Sequence, residues 1–68
     1  MNLTLILNGE RCVVEAVRTV AELVASLGLD SRKVAVERNL EIVPRSTYDQ
    51  ILLADGDRIE IVHFIGGG

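Results

Sequence analysis

Thr19-Val20-Ala21-Glu22-Leu23-Val24-Ala25-Ser26-Leu27-Gly28 carries a helix together with its start and stop signals. Thr19 and Glu22 form a capping box, in which the threonine hydroxyl accepts the backbone N–H three residues on and the glutamate reaches back. Val20, Leu23, Val24 and Leu27 recur at i, i+3, i+4 and i+7, one apolar stripe that needs a partner surface. Gly28 stands where a left-handed residue closes a helix at no steric cost.

Working outward toward the N-terminus, Leu3-Thr4-Leu5-Ile6-Leu7 reads as a strand with its three leucines on one face. Asn8-Gly9 follows, a strong signal for a two-residue hairpin whose central positions both need positive φ. Arg11 to Ala16 returns as the second strand, and Glu15 facing water sends Cys12 and Val14 to the core side.

Beyond the helix, Lys33 to Glu37 reads as a third strand and Asn39 as a turn. Glu41-Ile42-Val43 is a short fourth strand that Pro44 ends or holds at an edge, because proline donates no ladder hydrogen bond. Tyr48 to Leu53 is expected to be irregular with a helical turn. Asp55-Gly56-Asp57 is a tight turn into the last strand, Arg58 to Ile65.

One helix on one face of a mixed sheet buries the stripe against the inward strand residues. The order hairpin, helix, strand, short strand, strand fits an α+β, β-grasp fold. It predicts four to five strands in the order 2-1-5-3-4 on one α-helix, with the first and last strands central and parallel. Residues 1–65 are the expected domain and 66–68 a flexible glycine tail.

Composition narrows the function classes. A chain of 68 residues makes one domain, which buries only about 60% of its unfolded surface. It leaves no room for a two-lobed catalytic cleft. The net charge is −3 and the seven Lys and Arg are scattered, so no nucleic-acid footprint is present. No apolar stretch is long enough to span a bilayer, and Met1 to Leu5 lacks the basic start of a secretory signal. One Cys and one His give neither a disulfide framework nor a metal site. A cytoplasmic protein, monomeric when alone, is expected.

The sequence ends on Gly66-Gly67-Gly68, directly after the apolar last strand. Glycine adds nothing to a core and loses the most entropy on ordering, so the ending suits access rather than stability. A thin strand without side chains can carry a terminal carboxylate into a narrow site. An ionised carboxyl is a poor electrophile, and conversion to an acyl-adenylate supplies the leaving group it lacks. On the last strand's outward face, Val62 and Phe64 are expected to join Ile6 of the first strand in an apolar docking patch beside the tail. No catalytic constellation or phosphate-binding glycine motif occurs. His63 reads as a rim residue, Cys12 as a small core residue, and Asp55 and Asp57 as turn formers.

Asn8-Gly9-Glu10, Asn39-Leu40-Glu41-Ile42-Val43-Pro44-Arg45, Asp55-Gly56-Asp57-Arg58-Ile59-Glu60-Ile61 and the Gly-Gly end together resemble the thiamine-biosynthesis sulfur carrier (ThiS) family over the whole chain. The resemblance implies a ubiquitin-like carrier that is not itself an enzyme and binds no cofactor. A ThiF-type adenylyltransferase would use ATP to activate the carboxylate of Gly68. Sulfur from a persulfide would make it a thiocarboxylate, and a ThiG-type thiazole synthase would take that sulfur for the thiazole ring. Gly67 would complete the required pair, with Gly66 as a third glycine. Leu40 departs from the pattern, since a glycine or polar residue is common after Asn39.

Other readings stay open at this point. The small subunit of molybdopterin synthase also ends in a Gly-Gly thiocarboxylate, but is richer in phenylalanine than this chain with its single Phe64. Carriers for cysteine or thiouridine synthesis, an isopeptide-forming modifier, and a β-grasp interaction module with an inert tail are the remaining alternatives.

Overall fold

The structure is a computed structural model that describes residues 2–64. Strand β1 (Asn2–Leu7) and strand β2 (Glu10–Glu15) pair antiparallel from Asn2 opposite Glu15 to Leu7 opposite Glu10. Asn8 and Gly9 close the hairpin with φ of 50° and 83°, the paired positive angles of a type I′ turn.

Helix α1 (Val20–Ser26) begins as its capping box requires. Thr19 Oγ1 accepts the Glu22 N–H at 3.1 Å, while Glu22 Oε1 accepts from Arg18 N at 2.7 Å and Thr19 N at 3.1 Å. Those two backbone donors, Arg18 first, hold the Glu22 carboxyl below its usual range. At the other end Gly28, at φ 74°, donates to Ala25 O while Leu29 donates to Val24 O. This pair of bonds reverses the chain in a Schellman motif. The reversal also corrects the apolar stripe. Leu27 caps the helix outside the last full turn and is exposed, and Leu29 packs against the core after the turn.

A short 3₁₀ turn at Ser31–Lys33 leads into strand β3 (Val34–Arg38). Asp30 caps that turn: hydrogen bonds from the Arg32 side chain, then from its backbone N–H, hold the Asp30 carboxyl down at about 2. Strand β4 (Glu41–Val43) pairs antiparallel with β3 and stops at Pro44, on the sheet edge as proline demands. A 3₁₀ turn at Arg45–Thr47, with Pro44 as its N-cap, runs into the turn expected within 48–53, where Ile51 N–H donates to Thr47 O at 3.0 Å. Strand β5 (Arg58–His63) completes the sheet.

The sheet order is β2-β1-β5-β3-β4, with β1 and β5 parallel and the other neighbours antiparallel. This is the β-grasp arrangement expected from the element order. Leu5, Val34, Val36 and Ile59 line the helix side of the sheet and meet Val20, Leu23 and Val24 of α1. All seven are essentially solvent-free, and burying each such side chain contributes about 1.5–3 kcal/mol. Tyr48 closes one flank of this core, with its hydroxyl donating to Val34 O at 3.3 Å. Every buried side-chain polar atom among the described residues has a partner.

Candidate functional site at the root of the C-terminal tail

Strand β5 carries the chain out of the core, and its two ends are held by different devices. At its start, Asp55 Oδ1 accepts the Thr4 N–H at 2.7 Å, and Gly56 N donates to Thr4 O at 2.7 Å. Asp57 is buried and accepts from Arg38 Nε at 2.7 Å, Asn39 Nδ2 at 3.0 Å and Ala54 N at 2.8 Å. Burial pushes the Asp57 carboxyl up, but the hydrogen bonds from Ala54, Arg38 and Asn39 outweigh it and hold the group below its ordinary 3.8. Asn39 also grips Arg58, donating its N–H to Arg58 O and accepting Arg58 N–H on Oδ1 at 2.9 Å. Asp57 is therefore an anchor as well as a turn former. Nothing in the local pattern marks this, because Asn39 and Arg38, the partners that make it an anchor, lie 18 and 19 residues away.

Toward the tail, β5 is paired along one edge only. Strand β3 accompanies it as far as Val34 opposite His63, and Lys33 O accepts the Phe64 N–H at 2.8 Å. Strand β1 is in register with it only at Arg58 and Ile59. One further contact comes from Asn8, whose side-chain amide accepts Ile61 N–H at 2.8 Å and donates to Ile61 O at 3.3 Å. In the sequence Asn8 carries only the hairpin signal.

Val62 and Phe64 sit two residues apart on the open side of the sheet, 60% and 50% exposed. Val62 faces the half-buried Ala35 across the β3 ladder. Ile6 is half-buried and in register with Arg58, which places it about 13 Å down the sheet from Val62 at ~3.3 Å per residue. Arg58 and Glu60 occupy the interval. The structure thus brings Val62 and Phe64 together and leaves Ile6 apart from them on the same face.

His63 is exposed, and Cys12 is half-buried against the core. No group of three or more metal-ligating side chains occurs among the described residues. No helix among them is long and apolar enough to cross a membrane. Gly66, Gly67 and Gly68 lie outside the described residues.

The comparisons with known proteins converge. The family model described as the ThiS family matches residues 5–68. The sulfur carrier protein ThiS of Bacillus subtilis is 50% identical over 50 residues, covering 74% of this chain and 76% of that one. A crystal structure of the thiamine biosynthesis protein ThiS from Geobacter metallireducens superposes with a TM-score of 0.82. It is 33% identical, and the match covers 97% of this chain and all of that one. A thiazole synthase of Paramagnetospirillum magneticum is 61% identical over 64 residues, and one of Magnetococcus marinus 52% over 62. The chain spans about a fifth of the length of those two relatives. The match to the family model over residues 5–68, on a β-grasp sheet of the expected order, shows that this chain belongs to the ThiS family.

Proposed function

We propose that this chain carries sulfur for thiamine biosynthesis on the terminal carboxylate of Gly68. A carboxylate oxygen attacks the α-phosphorus of ATP in a ThiF-type adenylyltransferase, and pyrophosphate leaves. The terminal sulfur of an enzyme persulfide then attacks the acyl carbon and expels AMP. A thiol cleaves the resulting acyl disulfide, which leaves the thiocarboxylate. A ThiG-type thiazole synthase consumes it. The chain contributes no catalytic group to these steps; its role is that of substrate and donor, and ATP belongs to the partner.

The observation that carries this reading is the way β5 leaves the fold. A strand anchored at its start by Asp57 and Asn39 presents Val62 and Phe64 on its open face and leads to three glycines. The exposed pair gives a partner an apolar address next to the tail, with Ile6 farther down the same face. Gly66 and Gly67 offer no side chain to obstruct a narrow approach to Gly68. The two thiazole synthases that contain a segment so similar to this chain support a thiazole-forming acceptor over the molybdopterin alternative. The test is the intact mass of the protein after incubation with ATP, the adenylyltransferase and a sulfur source. Exchange of one terminal oxygen for sulfur is expected, and an unchanged terminus would exclude the carrier role.

A further inference from the structure

Strand β1 ends at Leu7 because the hairpin turns away at Asn8, yet β5 runs on for four residues past Ile59, its last position in register with β1. In a continued parallel ladder, residue 8 would donate its N–H to the carbonyl of residue 59 and accept the N–H of residue 61 on its own carbonyl. The first bond is present, Asn8 N to Ile59 O at 2.8 Å. The positive φ of 50° carries the main chain out of line for the second. The side chain takes over. Asn8 Oδ1 accepts the Ile61 N–H at 2.8 Å, and Asn8 Nδ2 donates to Ile61 O at 3.3 Å. The carboxamide thus stands in for the peptide group that β1 no longer supplies.

The geometry points to Asn8 as a positioning residue that aims the tail root for reaction at Gly68, an inference that rests on the carrier function proposed above. Ile61 is the last β5 residue held from the β1 side, through Asn8; from Val62 to Phe64 the strand is supported from the β3 side alone, by Val34, Ala35 and the Lys33 carbonyl. Releasing Ile61 leaves the strand end held from one edge, so the direction of the chain at Phe64 becomes less defined. The position makes two separate demands, tolerance of positive φ and an amide that both donates and accepts. Glycine would satisfy the first alone; aspartate would satisfy the first and keep the acceptor for Ile61 N–H. A plain turn former would need only the first.

The test compares Asn8→Gly and Asn8→Asp with the unaltered protein. Asn8→Gly leaves a Gly-Gly turn that suits the hairpin, so the fold and melting temperature are expected to hold. Its Ile61 amide should exchange with solvent at least tenfold faster, and the adenylation kcat should fall roughly tenfold, because misplacement of a reacting group lowers rate steeply. Asn8→Asp should recover part of both effects, because its carboxylate keeps the acceptor for Ile61 N–H but has no donor for Ile61 O. An Ile61 exchange rate unchanged in Asn8→Gly would overturn the inference, whatever the activity. So would an unchanged kcat, or an Asn8→Asp protein no better than Asn8→Gly. An unaltered protein that the adenylyltransferase does not modify would instead count against the carrier function itself.

Discussion

Arg38 Nε lies 2.7 Å from Asp57 Oδ2 beneath the start of β5, and the two side chains are 32% and 8% exposed. The carboxylate is the more deeply enclosed partner and takes three donors, so the arrangement hangs on Asp57. Asp57→Ala would remove the one acceptor shared by Arg38 Nε, Asn39 Nδ2 and Ala54 N–H. A loss of about 2 kcal/mol is expected, read as a lower urea midpoint at unchanged slope. A change below about half a kcal/mol would show that the network does not hold the strand.

The same carboxylate sets an acid limit. Its folded pKa is depressed below the ordinary 3.8, so its contribution to stability is complete above that value and is lost as pH falls through the folded value. Urea midpoints should hold level from neutral pH down to about 5 and fall below about 4. Asp57→Asn should start lower at neutral pH and decline less on acidification. A parallel decline in both proteins would place the acid-sensitive group elsewhere.

Leu40 occupies a left-handed conformation, φ 72°, with 74% of its surface exposed. A side chain there costs about 1–2 kcal/mol and gains little from packing at this exposure. Leu40→Gly is therefore expected to raise stability by roughly 0.5–1 kcal/mol once glycine's larger unfolded-state entropy is subtracted. A lower melting temperature would contradict this and show that Leu40 packs usefully.

Local signals were the legible ones. The capping box, the Asn8-Gly9 hairpin and Gly28 each specify backbone geometry within a few residues, and the structure has all three. Strand order was legible because a hairpin, a crossover helix and a final central strand admit few right-handed arrangements. The axial offset between β1 and β5 was not. Alternation tells which face a residue takes, but no turn connects a parallel pair to set its register. Alternation alone therefore groups Ile6 with Val62, although it lies level with Arg58. Leu27 matches the helical period and is still exposed, because it is the helix C-cap and the reversal at Gly28 brings Leu29 to the core instead. Asn8 and Asp57 hide their second roles for a common reason: their partners are distant in sequence, 53 residues away for Asn8 and 18 and 19 for Asp57.

Val62 and Phe64 support few core contacts, so replacing both with serine should shift stability by no more than about half a kcal/mol per site. The rate of tail modification should fall at least tenfold if they form the address that the partner reads. Val13→Ser is the control, since Val13 is equally exposed at 59% but lies on the far edge strand. Equal loss in both proteins would argue against a docking surface at the tail root.

The most direct test of the carrier account lies at the last two residues. Deletion of Gly67 and Gly68, which removes the terminal glycine pair, should leave the melting temperature and the Ile61 amide protection as they are, while the protein no longer gains sulfur from ATP, the adenylyltransferase and a persulfide donor. The full chain should gain it, seen as one oxygen replaced by sulfur in the intact mass and located at the terminal glycine. A shortened chain that still accepts sulfur, or a full chain that does not, would contradict the account.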